Sequence, residues 1–497
     1  MRDLHQQQAG ANAVAAVAAA LAFVALQIVG RAMLGAPDLA GVLEDLAVRV
    51  IPGAVFAWVL DHLLFLAKPL LYAVLTVGEA TVLALAATIA AVRRRPLAGG
   101  LALGLVGTVA ALLDAPGPAA HSVAYYLSLA VAAAGYAALL AERAPRSGML
   151  AGGRRLTRRN LLVAGIAAAT TLVLGRRLLG PLIAPSFLHG ALGAGTATAG
   201  SGPWAGMPAL VTPASDFYII TKNLTDPVVD VATWHLRVHG LVEAPLDLDY
   251  AGILALPAVN LYRTLECISN PVGGYLISNG QFTGIALGDL LARVRVRPEA
   301  THLLFTSADG YFETMPLAQA RSPLTLLAYG LDGQPLPVHH GFPLRVLGAG
   351  TYGMKNPKWL TDIRLIANAP QGFWERLGWN PGSYVRTMSL ISVPEAGAKL
   401  KRGPVGLGGV AFAGDRGITR VEVSVDGGRT WQPSRLQGGL GPSTWVLWEH
   451  LWPDPAPGAH TLVVRATDGT GQSQPRAIYP AFPYGAMGLH TIQIHVL

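Results

Sequence analysis

Six apolar runs crowd the first 180 of 497 residues, near Ala11–Val29, Val48–Ala67, Leu70–Val92, Leu97–Leu113, Ala119–Ala141 and Leu161–Leu179. Each is close to the ~20 residues that a helix needs to cross a bilayer, so the sequence predicts six transmembrane helices over 1–180. The mean hydropathy of +0.42 and the charged content of only 13% follow from this block. The loop between the fifth and sixth runs, Glu142–Asn160, carries six arginines against one glutamate. Such a loop belongs in the cytoplasm. "RRRP" at Arg93 agrees, two crossings away. Counting from that loop puts the N-terminus outside, and everything after Leu179 emerges on the extracytoplasmic side. A net charge of +8 is thereby explained beside the membrane rather than by nucleic acid.

Within that loop, "TRRNLL" (Thr157–Leu162) followed by an apolar helix reads either as a twin-arginine export signal or as an ordinary positive-inside flank. Asp61, His62 and Glu79 lie inside expected spans. Snorkelling or helix–helix hydrogen bonding accounts for them better than a haem, which would need two well-placed histidines.

A linker rich in Gly, Ala, Thr and Pro is expected over 181–213. Residues 214–393 then mix short alternating strands ("WHLRVHGLV", "FPLRVLG") with helical stretches such as "IALGDLLARV", so a mixed α+β domain is expected. From 394 to 497 the pattern is strands only. "DGG" at Asp426 marks a tight hairpin turn, and the turn spacing predicts an immunoglobulin-like β-sandwich.

The chain has one cysteine, Cys267, in "YRTLECISNP". A single thiol excludes a disulfide within the chain, a four-thiolate zinc or iron–sulfur site and haem attached through CxxCH. A buried structural cysteine, a nucleophile working with His340, a regulatory thiol and a metal ligand all remain open on this stretch alone.

"TLECISNPVGG" followed by "FTGIALGDLL", and further on "HHGFPLRVLGAGTYGMKNPKWLTDIRL", resemble the sulfite-oxidase family of molybdopterin enzymes, which includes the catalytic subunit of periplasmic methionine-sulfoxide reductases. The likeness covers about 210–497. It implies a molybdenum–molybdopterin cofactor with Cys267 as the metal's protein ligand. It further implies that His340, Arg345 and the Asn356-Pro357-Lys358 turn hold the pterin and its phosphate, with Lys355 a neighbour of unassigned role. "SDFYIITKNLTDP" resembles the family's opening strand and nominates Ser215, Tyr218, Ile219 and Asn223, and "FTSADGYFETMPL" adds Ser307 or Asp309.

Sulfite oxidases of this kind surround their anionic substrate with arginines. Here Pro271 and Val272 follow Asn270, and Lys222 and Arg263 are the cations left to face a substrate. An uncharged or bulkier sulfur compound, an S-oxide or an N-oxide suits that composition better than sulfite. The implied activity is oxygen-atom transfer by a membrane-anchored enzyme on the extracytoplasmic side. With no haem c or iron–sulfur motif, electrons would pass to or from a separate cytochrome, haem-containing membrane protein or quinone. The terminal domain resembles one that often mediates dimerisation, so a homodimer is expected. The competing class is a membrane-anchored binding or adhesion module that has kept the fold and lost the cofactor.

Overall fold

A computed structural model describes residues 67–92, 205–223 and 226–497, with the single positions 24, 27, 43 and 55. The first stretch belongs to one compact unit and the second and third to another. In the first unit, α1 (Ala67–Val92) coincides with the third expected span. Gln27 Nε2 donates to Glu79 Oε1 at 2.7 Å, both side chains being buried. Of the two readings open for Glu79, snorkelling and helix–helix hydrogen bonding, this contact is the second. Among the described residues no helix is long and apolar enough to cross a membrane. Of the first two expected spans only Val24, Gln27, Val55 and Ala67 are described, all in helical backbone; the last three spans and the Thr157–Leu162 stretch lie outside the described residues.

The second unit opens with ten strands: β1 (His235–Gly240), β2 (Leu246–Asp249), β3 (Val259–Glu266), β4 (Ile277–Ala286), β5 (His302–Ser307), β6 (Phe312–Pro316), β7 (Leu326–Leu331), β8 (Gln334–Pro335), β9 (Arg345–Leu347) and β10 (Leu360–Ile366). One sheet has the order β2-β1-β10-β5-β6; the other runs β3-β4-β7-β8 with β9 also on β7. Alternation decides β1, where Leu236 and Val238 face the core while His235 and Arg237 face out. β4 is buried along nearly its whole length, as a strand covered on both faces must be. The expectation of a mixed α+β domain is corrected to a mostly-β one. Its helices are short: α2 (Tyr250–Leu254), α3 (Leu287–Val294) and α4 (Leu317–Ala320). α3 buries Leu287, Leu290, Leu291 and Val294, the i, i+3, i+4, i+7 stripe of an amphipathic helix. These leucines join Leu236, Phe305, Leu327, Val346 and Ile363 in a core contributed by both sheets.

The remaining strands are β11 (Met388–Val393), β12 (Lys399–Leu400), β13 (Val405–Phe412), β14 (Ile418–Ser424), β15 (Gln432–Pro433), β16 (Arg435–Gly438), β17 (Val446–Trp452), β18 (Gly458–Asp468) and β19 (Thr491–Val496). They form two sheets, β11-β13-β17-β16 and β12-β19-β18-β14-β15. Leu407 and Trp448 of the first meet Val421, Val464 and Ile494 of the second, which makes a sandwich. Asp426 accepts the amides of Arg429 and Thr430, and Gly427 and Gly428 take φ of 76° and 86°, the turn that "DGG" announced.

A third core joins the two domains: Ile268 and Tyr352 pack with Met388, Val410, Phe412 and Trp445. Met207 belongs to it too, so the last residues of the stretch expected as linker are part of the packed body.

Candidate cofactor site around Cys267

β3 carries its last four residues fully buried and delivers Cys267 immediately beyond its end. The turn that follows is tied by side chains. The Cys267 amide donates to Leu276 O at 3.0 Å. Asn270 Oδ1 accepts the Leu276 amide at 3.0 Å, and Asn270 Nδ2 donates to Glu266 Oε1 at 3.1 Å. The asparagine of the Cys-x-x-Asn pattern therefore shapes the turn that presents the thiol. Gly274 is obligatory here, since a Cβ would lie 2.4 Å from Asn270 Oδ1. Burial pushes the Cys267 thiol up, and the Ser269 hydroxyl, 3.0 Å from Sγ, opposes this. A thiolate so placed is at home on a cation. Burial also holds Glu266 up at about 8, against the Asn270 hydrogen bond.

The second block meets this turn where Tyr352 packs with Ile268. His340 ends a short helical turn, Val338–His340, with its ring edge-on to Phe217. Burial, followed by His339, Arg345 and Lys358, holds it well below the usual histidine range, so it is neutral. Arg345 opens β9. Its Nη1 donates to His340 O at 3.1 Å and Nη2 to Asn356 O at 3.5 Å. Burial draws it down to about 10, which leaves it charged at neutral pH, with Tyr218 opposing the shift. Between them Gly341 has φ 109°, and a Cβ there would meet Lys358 Cβ at 2.9 Å. Lys358 Nζ donates to Ile220 O and His339 O and lies over the Trp359 ring.

Among the described residues, His340 Nε2, Arg345 Nε and Ser307 Oγ are buried with no hydrogen-bond partner. Buried polar atoms rarely go unmatched, and a buried guanidinium held only by carbonyls calls for an anion. A pterin phosphate would supply the anion that Arg345 lacks and hydrogen-bond groups for His340, and Cys267 would be the ligand of its metal. The side chains present fit a molybdenum–pterin group.

The other expected residues divide. Tyr218 sits within the field of Cys267, Arg345 and Glu266, and burial sets its hydroxyl well above the ordinary value. Its segment, expected as a strand, is irregular, because the Tyr218 amide donates to the Ser278 side chain instead of a ladder. Asn223 Nδ2 donates to Asp309 Oδ2 at 2.9 Å, and Lys222 Nζ lies 3.6 Å from the same oxygen. Ser215 is exposed and turns its hydroxyl to Asp216; Ile219 is half-buried. The Asn356 side-chain amide is occupied by Gly348 N and Tyr352 O, while Pro357 O accepts the Val346 amide. Arg263 donates to Leu324 O and lies in the field of Asp415; burial draws it down to about 10.

Lys355 acquires a role. Its Nζ lies 2.8 Å from Glu313 Oε1 and also contacts Glu375 Oε1, all three groups being buried. Burial would lower this lysine, but the two carboxylates outweigh it and raise it. Burial raises Glu313 to about 7, with Lys355 opposing. The triad fastens the Gly353–Lys355 turn, whose Met354 O accepts the buried Tyr311 hydroxyl at 2.6 Å. Lys355→Met leaves two buried carboxylates without their cation, and the expected loss is about 3–5 kcal/mol. A carboxylate whose folded pKa is raised destabilises the fold as it ionises, so this loss grows as pH rises from 5 to 8. Denaturant melts at both ends of that range check it.

A family model described as the oxidoreductase molybdopterin binding domain matches residues 223–374, and one for the Mo-co oxidoreductase dimerisation domain matches 384–495. The chain is 28% identical to sulfite oxidase of Gallus gallus over 314 residues, 54% of this chain and 68% of that one. Against the Arabidopsis thaliana sulfite oxidase it is 32% identical over 279 residues, 46% of this chain and 70% of the relative. Among solved structures it is similar to the sulfane dehydrogenase SoxCD from Paracoccus pantotrophus, with a TM-score of 0.52 at 25% identity over 56% of this chain and 80% of that one. With both domains matched in order and a relative at 32% identity covered over 70% of its length, the chain belongs to the sulfite-oxidase family of molybdopterin-dependent oxidoreductases.

Proposed function

We propose that the protein is a membrane-anchored, extracytoplasmic enzyme that transfers an oxygen atom to or from a sulfur compound, or from an S- or N-oxide, and exchanges electrons with a separate redox partner. The observations that carry the reaction class are the buried Cys267, which shares the field at Tyr218 with Arg345, and the unmatched atoms of His340, Arg345 and Ser307. Arg345, His340 and Lys358 would hold the pterin and its phosphate, and Cys267 would ligate the metal. When bound, the molybdenum–pterin group supplies two-electron oxygen-atom chemistry. The chain contributes orientation and charge, and keeps water from the buried end of the site.

Lys222 bears on the charge of the substrate. It is buried, but its ammonium is matched by Asp309 and rests 5.8 Å from the centre of the Phe373 ring. Arg263 is engaged with a backbone carbonyl. Lys222, whose charge is matched by Asp309, does not stand ready for an anion, which supports an uncharged substrate. Asp309→Asn removes the matching charge, and the expected result is a rise of about tenfold in kcat/KM for sulfite relative to a neutral sulfoxide. No change in that ratio would remove Lys222 and Asp309 from the substrate's surroundings.

The anchor is supported by the six apolar runs and the arginine-rich loop. Alkaline phosphatase fused after Leu179 should be active and a fusion within Glu142–Asn160 inactive; the reverse pattern overturns the placement.

A further inference from the structure

β3 is the edge strand of its sheet, paired on one side only, with β4. An unpaired edge leaves N–H and C=O groups open. Here the loop before β17, from the second domain, closes it. The Thr264 amide donates to Ser443 O at 3.0 Å, and Thr264 Oγ1 accepts the Trp445 amide at 2.8 Å. The same hydroxyl donates to Asn279 Oδ1 on β4 at 2.9 Å, so its donor and acceptor capacity are both used. Trp445 Nε1 and Asn279 Nδ2 both donate to Leu210 O, at 2.9 and 2.8 Å. Thr264, Asn279, Ser443 and Trp445 are all buried. Three residues beyond Thr264 lies Cys267, and Ile268, the next one on, packs in the core shared by the two domains.

We infer that Thr264 is a positioning residue for the metal-binding thiol, and that the C-terminal domain acts through it inside a single chain, apart from any part that domain takes in joining two chains. Strand β3 is fixed along one edge by its own sheet and along the other by Ser443 and Trp445, with one hydroxyl joining the two. Thr264→Val keeps the shape of the side chain but leaves the Trp445 amide and Asn279 Oδ1 buried without this partner. The end of β3 then opens locally more often.

The inference rests on Cys267 being the metal's ligand, but one of its tests needs no metal. Because Cys267 is the only cysteine of the chain, its alkylation by iodoacetamide can be followed without interference. In full-length protein produced without molybdopterin, Thr264→Val is expected to raise that rate at least about fivefold. In the loaded protein it is expected to displace the g-values of the Mo(V) electron paramagnetic resonance signal. Thr264→Ser, which retains the hydroxyl, should match the parent in both. Val464→Ala, in the sandwich core, supplies the comparison for general loss of stability. Parental alkylation and spectrum in Thr264→Val would overturn the inference, and so would an equal change in Val464→Ala at matched stability. A wrong assignment of Cys267 shows itself separately, as a Cys267→Ser variant with parental metal content and turnover.

Discussion

Cys267→Ser is expected to leave a folded chain whose turnover is lower by at least ~10³-fold, about 4 kcal/mol in the barrier. The substitution exchanges one small group for another at a buried position, and the turn around it depends on Asn270 and on the backbone of Leu276 rather than on sulfur. The fold should barely register the change. A serine hydroxyl, which stays protonated and is a weaker donor, ligates the metal far less well than a thiolate does, so the loss falls on chemistry. Elemental mass spectrometry and turnover on the same preparations distinguish the outcomes. Reduced turnover in a folded variant locates the metal at this side chain. Turnover equal to the parent's at equal molybdenum content returns Cys267 to the status of an ordinary buried cysteine.

Arg345→Met is the second large effect, and its direction differs between two measurements. The guanidinium is buried against carbonyl oxygens, with Nε unmatched among the described residues. Replacing a buried charge that has no carboxylate partner by an apolar chain of similar length is often neutral or stabilising. Thermal melts of the cofactor-free variant are therefore expected within about 1 kcal/mol of the parent, or above it. Cofactor retention, read as molybdenum per chain, should fall more than about tenfold, because a charge-assisted pair with phosphate is lost. A variant that loses several kcal/mol of stability and still keeps its metal would make Arg345 a structural residue.

The parts of the site that the sequence discloses are those that chemistry restricts to one residue type. A lone cysteine narrows the thiol's roles before any fold is known, and "HHGFPLR" places an arginine and a histidine five positions apart. What stays hidden depends on partners distant along the chain. Lys355 and Lys358 look equivalent in "MKNPKW", yet one is claimed by Glu313 and Glu375 and the other by the carbonyls of Ile220 and His339. Asp309 reads as an exposed hairpin residue until Asn223 and Lys222, 86 positions away in the case of Asn223, reach it. The opening segment imitates a strand in its pattern, and only the Ser278 hydroxyl shows why it is not one. The third expected span meets a helix at 67–92, but the alternation that defines the later strands carries no sign of the edge closure at Thr264.

The unmatched atoms of His340, Arg345 and Ser307 have a consequence for the life of the protein in a cell. A ligand that binds only the folded state deepens it by RT ln(1 + [L]/Kd), and here the ligand also neutralises groups that are costly to bury. Molecules that carry the cofactor should thus open less often than those that do not. Proteases that act on the opened chain would then remove the two populations at different rates. The steady-state amount of this protein should accordingly follow the supply of molybdenum and pterin, with no change in its synthesis.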